Sequence, residues 1–113
     1  MPELADTCAK LTAKGQRVLD TLARTIKKKF SARTLSIEGH TDSTPIKKCK
    51  FGTNWRLSAE RAETVRQYLT RKGLGGKARI RVVGYGPSSP VASNKRESGR
   101  RQNRRVELVI LNT

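Results

Sequence analysis

The sequence predicts an α/β (α+β) two-layer sandwich, with two main helices packed on one face of a mixed β-sheet. Three observations predict it. Two segments repeat apolar residues at helical steps, and three shorter segments carry the patterning of strands. Their order is helix, strand, helix, strand, strand, which contains a strand-helix-strand crossover and therefore a parallel strand pair. At 113 residues the chain suits a single domain, residues 1–113, with one core.

The first helix runs from Thr12 to Phe30, where Val18, Leu19, Leu22, Ala23, Ile26 and Phe30 recur at three- and four-residue steps. Thr12 can cap its start, and Lys27 to Lys29 suit the negative end of its dipole. Arg33 to Gly39 alternates as a strand, with Leu35 and Ile37 on one side and Thr34, Ser36 and Glu38 on the other, and ends at Gly39-His40-Thr41-Asp42. Ser43 to Trp55 is polar, contains Pro45 and Gly52, and reads as a surface loop.

The second helix is signalled at Leu57-Ser58-Ala59-Glu60-Arg61-Ala62. Ser58 is the expected cap, Leu57 and Ala62 a hydrophobic staple, and Glu60 an acidic group at the positive end. Ala62, Val65, Tyr68 and Leu69 carry the apolar face to Lys72, and Gly73 with Gly75-Gly76 ends it. Arg79 to Val83 is a strand, Gly84 to Asn94 a loop with Pro87 and Pro90, and Val106 to Leu111 a final, largely buried strand.

With 25 Lys and Arg against 9 Asp and Glu, the formal charge is +16. That predicts attraction to polyanions: nucleic acid, anionic lipid or anionic wall polymer. Charge runs such as Lys47 to Lys50 or Arg100 to Arg105 are usually solvated faces. A basic nucleic-acid-binding module is the competing reading. Against it, only 4% of residues are aromatic, a poor supply for stacking bases, and no recognition motif appears, so no specific nucleic-acid partner is expected.

Cys8 and Cys49 could form one disulfide or remain thiols. With His40 they lack metal-ligand spacing, so neither metal nor cofactor is expected. Catalysis by His40, Asp42 and Ser58 is not expected either, because Ser58 stands where a cap is wanted and lacks the G-x-S-x-G turn. His40 reads as a structural residue at a strand end. No apolar stretch approaches the roughly 20 residues that cross a bilayer. A membrane anchor or export segment is expected only in sequence preceding this chain.

Asp42 follows a strand and Arg61 lies in the first turn of the next helix, on the flank of the stripe made by Leu57, Val65 and Leu69. Such a pair can form an internal ion pair. It can also bind a zwitterionic amino acid, the Arg gripping a carboxylate and the Asp accepting from an ammonium. Spacing alone leaves both open.

The runs Ile37-Glu38-Gly39-His40-Thr41-Asp42, Asn54-Trp55-Arg56-Leu57-Ser58-Ala59-Glu60-Arg61-Ala62-Glu63-Thr64-Val65 and Asn103-Arg104-Arg105-Val106-Glu107 occur in order over residues 10 to 111. They resemble the OmpA-like domain family, which includes OmpA, Pal and MotB. Phe51-Gly52-Thr53-Asn54-Trp55 and Val82-Val83-Gly84-Tyr85-Gly86 look most like MotB. The resemblance implies non-covalent attachment to peptidoglycan in the periplasmic cell envelope, with Asp42 and Arg61 holding the diaminopimelate of the stem peptide. It also implies a pocket lined or braced by Thr41, Asn54, Leu57 and Arg104, and it admits a homodimer. Anionic wall polymers are secondary partners suggested by the charge. Family members begin with an apolar strand ending in Phe-Asp; here Leu4 and Asp6 are the nearest equivalents, so residues 1–9 are expected to hold a shortened first strand.

Overall fold

In the computed structural model, residues 9, 11–30, 33–45, 52–74 and 79–111 are described. The elements follow in the order α1 (Ala13–Lys29), β1 (Thr34–His40), α2 (Asn54–Arg71), β2 (Ile80–Gly84), α3 (Glu97–Asn103) and β3 (Arg105–Leu111). Among the described residues the sheet has three strands in the order β2-β1-β3. β1 runs parallel to β2 and antiparallel to β3. Residues 1–8 of the expected first strand, the Cys8 and Cys49 thiols, Lys47 to Lys50 and Gly75-Gly76 lie outside the described residues, while Ala9, expected at the end of that strand, is helical.

Register explains the two layers. Leu35 stands between Ile80 and Ile110, and Ile37 between Val82 and Leu108, so one sheet face is apolar throughout. Leu19, Ala23 and Ile26 of α1 and Ala62, Val65 and Leu69 of α2 cover that face and form the core with it. Leu35, Ile37 and Leu69 are fully buried; truncating any of them to alanine costs about 2–5 kcal/mol. Thr12 caps α1 as expected, accepting from Gly15 N at 3.0 Å. Gly73, at φ +96°, closes α2: its N–H donates to the Thr70 carbonyl and that of Leu74 to the Leu69 carbonyl.

Several expectations are corrected. The second helix begins at Asn54, with Thr53 as its cap, accepting from Arg56 N at 3.2 Å. The earlier start brings Leu57 into the buried arc, where it is 5% exposed. Ser58 is therefore not a cap, and Leu57 and Ala62 are not a staple across the helix start; both belong to the helix. No acidic residue occupies the first turn, and Glu60 pairs at 4.0 Å with Arg56, both groups being substantially exposed, which adds little.

A short helix, α3, stands between the loop after β2 and the last strand, where no element was expected. β1 is central rather than buried on one face only, so Ser36 is fully buried too and donates to Glu38 Oε2 at 3.0 Å. β3 is half-buried along its whole length, not largely buried, because it flanks the described sheet. On α1, Val18 and Leu22 are 52% and 37% exposed and line an apolar groove with Leu19, Val65, Val106 and Leu108.

Two glycines set how closely helix and sheet approach. A Cβ on Gly39 would stand 1.9 Å from the Ser58 carbonyl oxygen, and one on Gly84 would stand 2.6 Å from the Ala59 nitrogen. The start of α2 thus lies directly on the ends of β1 and β2. Arg61, four residues after Leu57 and four before Val65, shares the sheet-facing arc, close to the chain leaving β1.

Candidate functional site

Asp42, two residues beyond β1, is 6% exposed. Its carboxylate is held from two directions: Oδ1 accepts from Thr44 N at 2.8 Å and Oδ2 from Arg104 Nη1 at 2.7 Å. Burial raises its proton affinity, but the hydrogen bonds from Arg104 and Thr44 outweigh it, and the pKa falls below the ordinary 3.8. Because the folded value is depressed, this stabilisation is complete above the unfolded pKa and is lost as pH falls through the folded one. Urea melts across a pH series should therefore show a full stability gap between wild type and Asp42→Asn above about pH 4, closing only below it.

Arg104 also donates Nη2 to Glu97 Oε2 at 2.6 Å, so it bridges the first turn of α3 and the end of β1. Arg61 is half-buried. Burial, then the charge of Arg104, pushes its guanidinium below the ordinary pKa, while Asp42 opposes the shift. Arg61, Arg104 and Asp42 therefore lie within one another's fields, and both guanidinium groups stay charged at neutral pH.

The remaining expected residues converge on the same segment. Thr41 is buried; its N–H donates to the Gly86 carbonyl and its hydroxyl to the Asp42 carbonyl at 2.8 Å. Asn54 donates Nδ2 to the carbonyls of Thr44 at 3.0 Å and Asp42 at 3.4 Å, tying the start of α2 to the chain around the carboxylate. Leu57 is buried in the first turns of α2. Asp42, Arg61 and Arg104 form the charged cluster, Thr41 and Asn54 fix its backbone, and the site lies where β1 ends and α2 begins.

A model of the OmpA family matches residues 6–104 of the chain. The chain belongs to the OmpA family. Motility protein B of Bacillus subtilis is 44% identical over 79 residues, covering 70% of this chain and 30% of that protein. Peptidoglycan-binding protein ArfA of Mycobacterium tuberculosis is 39% identical over 102 residues, 90% of this chain and 29% of ArfA. Among solved structures, the C-terminal domain of Helicobacter pylori MotB superposes with a TM-score of 0.84 at 25% identity, covering 93% of this chain and 79% of that one. The chain thus spans about three tenths of these curated relatives, and the OmpA-like sandwich with MotB-like features is its fold.

Within this OmpA-family site, sequence reading missed two residues. Asn103 is fully buried; Oδ1 accepts from Val91 N at 2.8 Å and Ala92 N at 3.0 Å, and Nδ2 donates to the Ala92 carbonyl at 3.0 Å and Asn94 Oδ1 at 2.8 Å. It fixes the loop that precedes α3 and with it the base of Arg104. Asn103→Ala leaves two amide N–H groups without that acceptor and should cost about 2–3 kcal/mol in a urea melt. Glu97 is the second, and its spacing of three from Arg100 and seven from Arg104 was the available helical signal.

Ser58 and Trp55 take other roles than expected. Ser58 Oγ donates to the Trp55 carbonyl at 2.8 Å and accepts from Gly86 N at 2.9 Å, joining α2 to the turn after β2. Trp55, expected at the end of a surface loop, is 53% exposed in the first turn of α2, and its indole lies against Gly86. His40 closes β1 as a buried strand-end residue, its ring 5.3 Å from that of Tyr85 and stacked on it.

Proposed function

We propose that this domain attaches an envelope protein non-covalently to peptidoglycan, by binding the free zwitterionic end of diaminopimelate in the stem peptide. The supporting observation is the Asp42 carboxylate, buried yet ionised, held by Thr44 and Arg104 inside the field of Arg61. Asp42 accepts from the ligand ammonium, each carboxylate oxygen having a second lone pair to offer. Arg61 grips the ligand carboxylate with its planar fork. Arg104 positions Asp42, and Asn54 and Thr41 hold the backbone around it. No bond is made or broken, and the role is adhesion, not catalysis.

Membership of the OmpA family and the likeness to a peptidoglycan-binding protein and to MotB domains support this reading. They support a role at the periplasmic cell envelope. The +16 charge draws the domain toward anionic wall polymers, and the pocket supplies specificity.

Co-sedimentation with purified, polymer-stripped sacculi tests the proposal. Wild type should sediment at near-physiological salt, be released by free diaminopimelate, and be weakened only in part by high salt. Complete release by moderate salt, with no effect of diaminopimelate, would leave only a polyanion-binding surface and favour a nucleic-acid partner.

A further inference from the structure

On the sheet face away from the helices, Glu38 and His40 project two residues apart on β1, and Glu107 stands directly opposite Glu38 on β3. One donor atom from each side chain lies within 4.8 Å of the other two. His40 Nε2 is 3.9 Å from Glu107 Oε2. The imidazole is 4% exposed, and neither of its nitrogens has a hydrogen-bond partner among the described residues. Buried polar atoms are rarely left without a partner, so an imidazole with neither nitrogen bonded calls for an explanation. Tyr85 stacks on the ring and fixes its plane, and Nε2 faces the carboxylate.

We infer that Glu38, His40 and Glu107 form a site for a divalent transition-metal ion, of which Zn²⁺ is the best match. One imidazole and two carboxylates suit a borderline ion better than Mg²⁺ or Ca²⁺, which favour all-oxygen sets. Three protein ligands leave a fourth tetrahedral position for water. Around zinc the donor atoms must close to about 3.3 Å from one another. Glu107 can make that adjustment, since its side chain is 42% exposed, while the buried imidazole stays fixed.

Arg105 already donates Nε to Glu107 Oε2, and Ser36 Oγ donates to Glu38 Oε2 at 3.0 Å. Ser36 orients Glu38 as the outer partners of metal ligands commonly do, whereas Arg105 holds the same Oε2 of Glu107 that faces His40, so a bound ion must share that oxygen with the guanidinium. The ion would join the centre of β1 to β3 across the sheet, on the face opposite the core.

The test titrates Co²⁺, then Zn²⁺ in competition, into the chain carrying Cys8→Ser and Cys49→Ser, so that the thiols contribute nothing. Visible d–d bands of four-coordinate cobalt, saturating at one ion per chain, are expected, together with a rise in Tm on adding zinc. Glu107→Gln and His40→Gln should each weaken cobalt binding by at least about tenfold. Circular dichroism checks both folds. Should His40→Gln unfold, the half-exposed Glu107 decides the question alone. Absence of the bands at about millimolar Co²⁺, or unchanged affinity in Glu107→Gln, would overturn the inference. Sacculus binding by Asp42 and Arg61 is read separately.

Discussion

Arg61→Ala should lower affinity for polymer-stripped sacculi by about 100-fold or more, while leaving the fold intact. The size follows from what the side chain does. Its guanidinium is half-buried, already part-desolvated, and shares its surroundings with Asp42 and Arg104. In the proposed complex it alone meets the ligand carboxylate in a bidentate fork, and losing one partner of a buried charge pair costs about 2–5 kcal/mol. In the free domain burial and Arg104 work against the guanidinium and Asp42 works for it, so any change in Tm is read apart from the loss of binding. Arg61→Lys should be intermediate, since an ammonium keeps the charge without the fork. Asp42→Asn should also lose binding, yet with a stability cost, because Arg104 and Thr44 both donate to that carboxylate. Sedimentation with a parallel thermal melt separates the two cases. An Arg61→Ala variant that sediments as wild type does would rule the guanidinium out of recognition.

Gly39→Ala should destabilise the domain by about 3 kcal/mol, lowering Tm by roughly 10 °C or more. The added methyl would stand 1.9 Å from the Ser58 carbonyl oxygen and 2.7 Å from its carbon. These are backbone atoms of a helix whose Ala62, Val65 and Leu69 are committed to the core, so α2 must lift from β1 as a body. Lifting α2 also moves Arg61 away from Asp42, and sacculus binding should fall together with stability. Gly52 is a useful contrast: nothing lies within 4 Å of a Cβ there, and only its φ of +78° opposes alanine, a cost of about 1–2 kcal/mol. A urea melt of the two variants tests this ordering, and equal losses would contradict the close approach of helix and sheet.

Where a local rule decided the structure, the sequence was readable. The Thr12 cap, the Gly73 stop and the alternation through Leu35 and Ile37 each act within a few residues, and α1, β1, α2 and β2 appear in the expected order. The start of α2 was misplaced because Thr53 and Ser58 are both good caps, and burial of Leu57 and Ser58 favours the earlier one. Helix α3 escaped notice because it has seven residues and no apolar stripe. It is held by Asn103 and by Gly99, where a Cβ would meet the Ser93 carbonyl oxygen at 1.9 Å. Those are tertiary contacts with no periodic trace.

The places of Asp42 and Arg61 at a strand end and a helix start mark them as neighbours, but spacing left an internal ion pair open, and only the family resemblance pointed to a ligand. The grip of Arg104 on Asp42 spans 62 residues of sequence, and no spacing rule reaches that far. Glu38 and Glu107 likewise become neighbours only once the β1-β3 register is known.

The most direct measurement compares two soluble muropeptides by calorimetric titration, identical except that the third stem residue is diaminopimelate in one and lysine in the other. Lysine keeps an ammonium but lacks the second carboxylate, so Arg61 would be left without its partner. The diaminopimelate peptide should bind, and the lysine peptide should bind at least about tenfold more weakly. Equal affinities for the two would contradict recognition through the Asp42 and Arg61 pair.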